Sequence, residues 1–291
     1  MSGFSADWLA LRKDADDRAR SRDVLARAVR HVADAQAEIG RSNDIDKSGR
    51  EGNADIRFCD LGSGTGASVA AFVPHFTEVI HAPQSWTLCD IDADNLATAR
   101  ARYADVDDIS VTTRMHDLSR DPAPFQSVDA PAADIVTATA LFDLVSAKWI
   151  DRFVGALAEA RLPLLATLTY DGRHMFDPPH PLDAMMHTAF DAHQQTEKGF
   201  GPALGPAAVS TLVATLEEAG FTVRRGDSPW MLERDRDAAL VAALVEGWAN
   251  AVSEAGLVEP ADAAVWCSAR IGDTRSLLVG HTDIFAAPPP T

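Results

Sequence analysis

The sequence predicts an α/β fold in which helices cover both faces of a mostly parallel, doubly wound sheet of seven strands. Two observations lead there. From residue 56 onward, short apolar runs alternate with amphipathic stretches, the pattern of parallel strands joined by crossover helices. One such run, "FCDLGSGTG" at 58–66, ends in an acidic residue and opens into three glycines within five positions, as at a ligand-binding strand-to-helix turn. The 291 residues, 46% of them hydrophobic, suffice for one large domain or a domain with an insert.

Residues 1–39 read as a helical segment of one or two helices, with Val24, Leu25, Ala28, Val29 and Val32 on one stripe. Residues 40–55 contain one aliphatic side chain among turn formers and read as a mobile linker. Strands are predicted at 56–60, 86–90, 109–113, 134–138, 162–170, 221–225 and 276–285. Helices are predicted over 207–219, stopped by Gly220, and over 237–255, stopped by Gly256. The main domain is placed at 56–287, with an insert at 171–205 and a short tail at 288–291.

With 43 acidic against 26 basic residues, the net charge of −17 disfavours nucleic acid or an anionic membrane as partner and favours a small molecule. The polar "SGFSAD" after Met1 and the absence of a long apolar run predict a cytoplasmic protein. Cys59, Cys89 and Cys267 have no metal-ligand spacing and read as reduced and structural. No metal is expected, and monomer and homodimer both stay open.

A strand, a glycine turn and a helix together place unpaired backbone N–H groups and a positive helix end at the mouth of the sheet. Gly62, Gly64 and Gly66 satisfy both G-x-G-x-x-A and G-x-G-x-G, so the glycines alone admit two ligand classes. A P-loop is excluded because no Gly-Lys-Ser/Thr follows. Asp60 discriminates: a carboxylate at the turn repels a pyrophosphate and welcomes an amine or sulfonium. Asp90, ending "WTLCD", is placed for ribose hydroxyls, and Asp117 in "TTRMHDL" for an adenine amino group. The strand exit in "DIVTATALFDLVS" puts Thr139 and Ala140 beneath the ligand.

On these residues the chain resembles the class I S-adenosylmethionine-dependent methyltransferases. Asp60-Leu-Gly-Ser-Gly-Thr-Gly is similar to their first motif, Asp90 to their ribose acid, Asp117 to their adenine-side aspartate and "DIVTATALFDL" to their strand-four motif. The end of the chain, "GFTVRRGDSPWML", a helix and "SLLVGHTDIFA", looks like that family's antiparallel last strands. The resemblance implies a Rossmann-like sheet and methyl transfer from S-adenosyl-L-methionine, with S-adenosyl-L-homocysteine as product, to a small-molecule acceptor. It implies cofactor contacts from Asp60, Gly62, Ser63, Gly64, Gly66, Asp90, Ile91, Asp117, Leu118, Thr139 and Ala140. The strand-four exit lacks Asn-Pro-Pro-Tyr, which turns the expectation away from base or glutamine methylation.

The alternatives are an NAD(P) oxidoreductase and a cofactor-binding regulatory module without transfer activity. Neither Tyr103 nor Tyr170 is followed by the lysine of a Tyr-x-x-x-Lys relay. Methyl transfer needs alignment and exclusion of water, with a general base where the acceptor carries a proton. Candidates for that base are His174 and His187 in the insert, expected as the substrate wall, and Asp143 after strand four. Packed surface helices with solvent-facing histidines, and an N-cap or surface role for Asp143, are the plainer alternatives. Arg18, Arg20 and Arg22, interleaved with aspartates, read as a solvated face.

Overall fold

The structure is a computed structural model describing residues 5–41, 55–127, 129 and 132–290. Eight strands form one sheet in the order β3-β2-β1-β4-β5-β8-β6, with β7 also paired to β8. These are β1 Ile56–Leu61, β2 Gln84–Asp90, β3 Ile109–Met115, β4 Ile135–Thr139, β5 Leu164–Asp177, β6 Thr222–Asp227, β7 Trp230–Glu233 and β8 Ser276–Ala287. The first five are parallel, and β8 runs antiparallel to β5, β6 and β7.

Alternation along the central strands explains why both faces are covered. Phe58, Trp86, Leu88, Leu165 and Phe285 point into one core, against helices α2 Arg22–Arg41, α3 Ala67–Val79 and α4 Ala93–Arg102. Cys59, Leu61, Val136, Ala166 and Ile284 point into the other, against α5 Ala147–Ala160 and α7 Ala208–Glu218. Such strands are buried on both sides and therefore read as continuous apolar runs. Phe58 stacks on its register partner Trp86 with ring centroids 3.9 Å apart.

A third core lies beyond the carboxyl edge of the sheet. It is built from the outer half of β5, the start of β8, β7, and helices α6 Asp183–Gln194, α8 Arg234–Glu254 and α9 Pro260–Asp273. Helix α1, Ala6–Ala19, contributes Ala15 to this core and carries Leu9 over the glycine turn. It is fastened by Asp16, which accepts Trp230 Nε1 at 2.9 Å and pairs with Arg12 at 3.2 Å, and by Arg18 on Asp237 at 2.7 Å.

Four expectations need correction. The sheet has eight strands, because the short β7 escaped notice inside "GDSPWML". Strand β6 pairs antiparallel with β8, which sets it parallel to β5, so of the last two predicted strands β8 alone opposes the parallel set. Strand β5 does not stop at Tyr170 but runs to Asp177, so residues 171–177 are strand rather than helical insert; register shifts around Asp171–Arg173 hid the alternation. Arg20 is no solvated charge: its side chain is 7% exposed and lies 5.7 Å over the Phe72 ring.

Most of the stretch 40–55 lies outside the described residues; Gly40 and Arg41 complete α2. Among the described residues no helix is long and apolar enough to cross a membrane.

Candidate functional site

The glycine turn leaves β1 at Leu61 and enters α3 at Ala67. Gly62, Gly64 and Gly66 have φ of 62°, 51° and 76°, the left-handed region that disfavours side chains. At Gly66 the packing also crowds one, since a Cβ would stand 3.0 Å from Tyr103 Cε2 and 3.3 Å from Ala99 Cβ. Asp90 braces the turn from the neighbouring strand. Its Oδ2 accepts the Gly64 amide at 2.7 Å and its Oδ1 accepts the Asp92 amide at 2.9 Å. Each oxygen keeps a second lone pair for an outside donor. Asp92 is the N-cap of α4, accepting from Asp94 and Asn95.

Asp60 is 1% exposed. Its Oδ1 accepts the Thr137 hydroxyl at 2.6 Å, while Oδ2 is buried without a hydrogen-bond partner. Burial pushes its carboxyl up to about 7, opposed by Thr137, by the nearby Ser68 hydroxyl and by Arg20, and assisted by the charge of Asp90. Near neutrality, then, Asp60 is only partly ionised, and the negative field expected at the turn comes from Asp60 and Asp90 together. Ser63 Oγ is a second buried polar atom with no partner.

Strands β4 and β5 end in a hydroxyl ladder, Ser68 to Thr139 at 3.1 Å and Thr139 to Thr167 at 3.0 Å. Just beyond, Ala140 and Leu168 have φ of 52° and 55°, values rare for non-glycine residues and found where a fold imposes them. The Leu168 amide is held by Asp283 Oδ1 at 2.8 Å. Asp143 follows in a 3-10 turn, where burial raises its carboxyl to about 6 and its Oδ1 has no partner. It does not cap α5, a role taken by Ser146.

At the β3 edge, Asp117 Oδ1 accepts the Ser119 amide at 3.0 Å and hydroxyl at 2.5 Å, and Oδ2 pairs with Arg120 at 3.2 Å. Those contacts lower its carboxyl, the Ser119 hydroxyl most. Leu118 is buried, and its carbonyl accepts Trp149 Nε1 at 2.6 Å. Ile91 is 60% exposed, an apolar face open beside Asp90.

The geometry thus brings Asp60, Gly62, Ser63, Gly64, Gly66, Asp90, Thr139 and Ala140 to one edge, with Ile91, Asp117 and Leu118 on its β3 side. His174 and His187 stand apart, in the outer core. His174 stacks on Trp248 with centroids 4.3 Å apart, and burial drives its imidazole down to about 3, helped by His187 and His281. His187 Nε2 donates to the Gly172 carbonyl at 2.5 Å. Reading the sequence missed Asp191, which accepts the Tyr170 hydroxyl at 2.8 Å, and the cover formed by α1; no motif marks either.

No family model matches the chain, and no curated protein does. Among solved structures, a loganic acid methyltransferase with SAH is similar over 99% of this chain and 98% of its own, at 11% identity and a TM-score of 0.50. The YcgJ protein from Bacillus subtilis is similar over 89% and 99%, at 12% identity and a TM-score of 0.46. A mycolic acid cyclopropane synthase complexed with SAH and CTAB is similar over 81% and 78%, at 13% identity and a TM-score of 0.43. The architecture is that of the class I methyltransferases, a mostly parallel sheet with helices on both sides and an antiparallel strand beside β5.

Proposed function

We propose that the chain is an S-adenosylmethionine-dependent methyltransferase, of the EC 2.1.1 type, acting on a small-molecule acceptor. The observation that carries this reading is the unpartnered, buried Oδ2 of Asp60 beside a side-chain-free turn braced by Asp90. The α-ammonium of an amino-acid portion suits that oxygen, since a nearby positive charge would favour the ionised form that burial opposes. Ser63 Oγ offers a second waiting group, Asp90 the lone pairs for ribose hydroxyls, and Ile91 an apolar face for a planar base. The residues present fit the nucleoside thioether. The solved loganic acid methyltransferase holding SAH supports the same ligand class.

When bound, S-adenosylmethionine supplies a methyl group already activated by its sulfonium. The protein's part is to hold the acceptor in line, exclude water and take a proton. Helix α1, lying over the turn, serves the exclusion. Of the three candidate bases, Asp143 suits best: it stands just beyond the β4 exit, and a carboxyl near 6 is matched to proton removal at neutral pH. His174, at about 3, is a weak base. The methyltransferase unit is read as 56–287, with 171–205 on the acceptor side, in a cytoplasmic protein. The charge of −17 supports an uncharged or cationic acceptor over nucleic acid or an anionic membrane.

Isothermal titration tests the reading. Saturable binding of S-adenosylmethionine and S-adenosylhomocysteine, and none of NADH, is expected. Binding of NADH alone would replace it with the oxidoreductase. Transfer of a labelled methyl group to a cell extract then separates an enzyme from a silent binding module.

A further inference from the structure

The outer core encloses a pocket of about 260 Å³ whose wall includes His174, Phe176, Met186, Phe190, Trp248 and Trp266. Its charged groups are already paired. Asp183 at its rim accepts Trp266 Nε1 at 2.9 Å and binds Arg270 at 3.0 Å, and Arg270 also donates to the Pro178 carbonyl at 2.7 Å. What remains is a half-open aromatic pocket, with His187 in its wall held through Nε2 by the Gly172 carbonyl and standing 3.3 Å from Asp191.

Two imidazole nitrogens in this wall, Nδ1 of His174 and of His187, have no partner among the described residues, and the chemistry of the first is fixed by its neighbours. The Tyr170 hydroxyl donates to Asp191 Oδ1 at 2.8 Å, and a carboxylate can only accept. Burial beside Asp191 pushes the Tyr170 hydroxyl up, so it keeps its proton. Its oxygen also lies 2.9 Å from His174 Nε2. With the hydroxyl proton spent on Asp191, Nε2 must be the donor there. The neutral ring then carries a lone pair on Nδ1, which has no partner among the described residues and, unlike Nδ1 of His193 and His281, is not sealed away.

The pocket stands at a distance from the strand exits. Ala138 is level with Ala166, which pairs with Ile284, while His174 pairs with Val279. Ala140, whose amide donates to the Thr167 carbonyl, stands two residues nearer than Ala138, so about three residues of β8, about 10 Å at the rise of an antiparallel strand, separate it from the level of His174. A group held at His174 is therefore removed from Ala140, while Asp143, whose charge is felt at the Tyr170 hydroxyl, lies on the inner side of the pocket.

We propose that this pocket holds the distal ring of an elongated, uncharged methyl acceptor, through a hydroxyl or N–H donated to Nδ1 of His174. The proposal rests on the methyltransferase reading for the word acceptor; the ring site itself does not. Tyr170 and Asp191 act as positioning residues that set the imidazole tautomer. Carboxylates and phosphates are disfavoured, since Arg270 is paired with Asp183, and His187 is held by the Gly172 carbonyl and Asp191.

The test titrates the cofactor-free, full-length protein with indole, 1-methylindole and indole-2-carboxylate. Indole is expected to bind about tenfold more tightly than 1-methylindole, the worth of one hydrogen bond, with no binding of the carboxylate. His174→Phe should erase the preference, and Tyr170→Phe should shrink it by freeing the tautomer. S-adenosylhomocysteine affinity should be unchanged in both. Absence of saturable indole binding below about 10 mM, or a preference that survives His174→Phe, overturns the proposal. Homocysteine-nucleoside binding without indole binding sinks this inference alone. Indole behaving as described without such binding supports the ring site and removes the methyltransferase reading.

Discussion

Thr137 Oγ1 donates to Asp60 Oδ1 across 2.6 Å, between two neighbouring strands with almost no access to water. That hydrogen bond and the nearby Ser68 hydroxyl do not offset the burial of a carboxylate, and the Asp60 carboxyl rises to about 7. Between the unfolded value near 3.8 and about 7 the folded protein therefore binds the extra proton. Stability from this group is present below about pH 4 and is lost as pH rises to about 7, roughly 4 kcal/mol in all. Asp60→Asn keeps the acceptor for Thr137 and removes the charge. Urea unfolding should show the variant more stable than the parent by about 2 kcal/mol near pH 8, allowing for a buried amide, with the gap closing toward pH 5. A gap independent of pH contradicts this account.

Gly64 and Gly66 should respond differently to alanine. At Gly64 the new Cβ meets only the tip of Leu9, at 3.0 Å, which can swing aside, so the cost is the left-handed backbone, about 1–2 kcal/mol. At Gly66 it meets Tyr103, Ala99 and Leu88 within 3.4 Å, and the cost should reach about 3 kcal/mol. Thermal unfolding of both variants and of Gly64→Ala with Leu9→Ala measures the difference; equal losses would sink the packing argument.

Asp16 ties helix α1 to the outer core. Burial raises its carboxyl despite Arg12, so the site is costly to leave half-made. Asp16→Ala leaves Arg12 and the Trp230 indole unsatisfied and should lose about 3 kcal/mol, whereas Trp230→Phe, which leaves the ion pair, should lose less. Because α1 covers the glycine turn, faster release of S-adenosylhomocysteine should accompany the Asp16 loss in stopped flow. Unchanged release would remove α1 from the site.

Asp143→Asn should lower kcat by about 100-fold or more while leaving S-adenosylhomocysteine affinity unaltered. The base works ionised, so the parent rate should rise with pH through about 6, and that limb should vanish in the variant. Initial rates of label transfer across pH decide it. A variant that keeps both rate and limb clears Asp143 of the role.

What the sequence disclosed tracks how local the physics is. The strands carrying Phe58, Trp86 and Ile135 are largely buried on both faces, so their apolar runs stood out, with Asp90 at the end of one and Asp60 one residue before the end of another. The extension of β5 did not, because its bulge at Asp171–Arg173 breaks the two-residue period and half of it faces solvent. Asp143 read equally as a base, a cap or a surface charge, because its burial depends on residues far away in the chain. The Tyr170, Asp191 and His174 contacts and the resting of Leu9 over Gly64 join segments that no spacing rule links.

The most direct measurement is S-adenosylhomocysteine affinity against pH for the parent and Asp60→Asn. The α-ammonium of the ligand would select ionised Asp60, so parent affinity should climb between about pH 5.5 and 7 and then level. The variant should bind at least about tenfold more weakly at neutral pH, with no such climb. Parent and variant binding alike at every pH would contradict the claim that this buried carboxylate recognises the ligand.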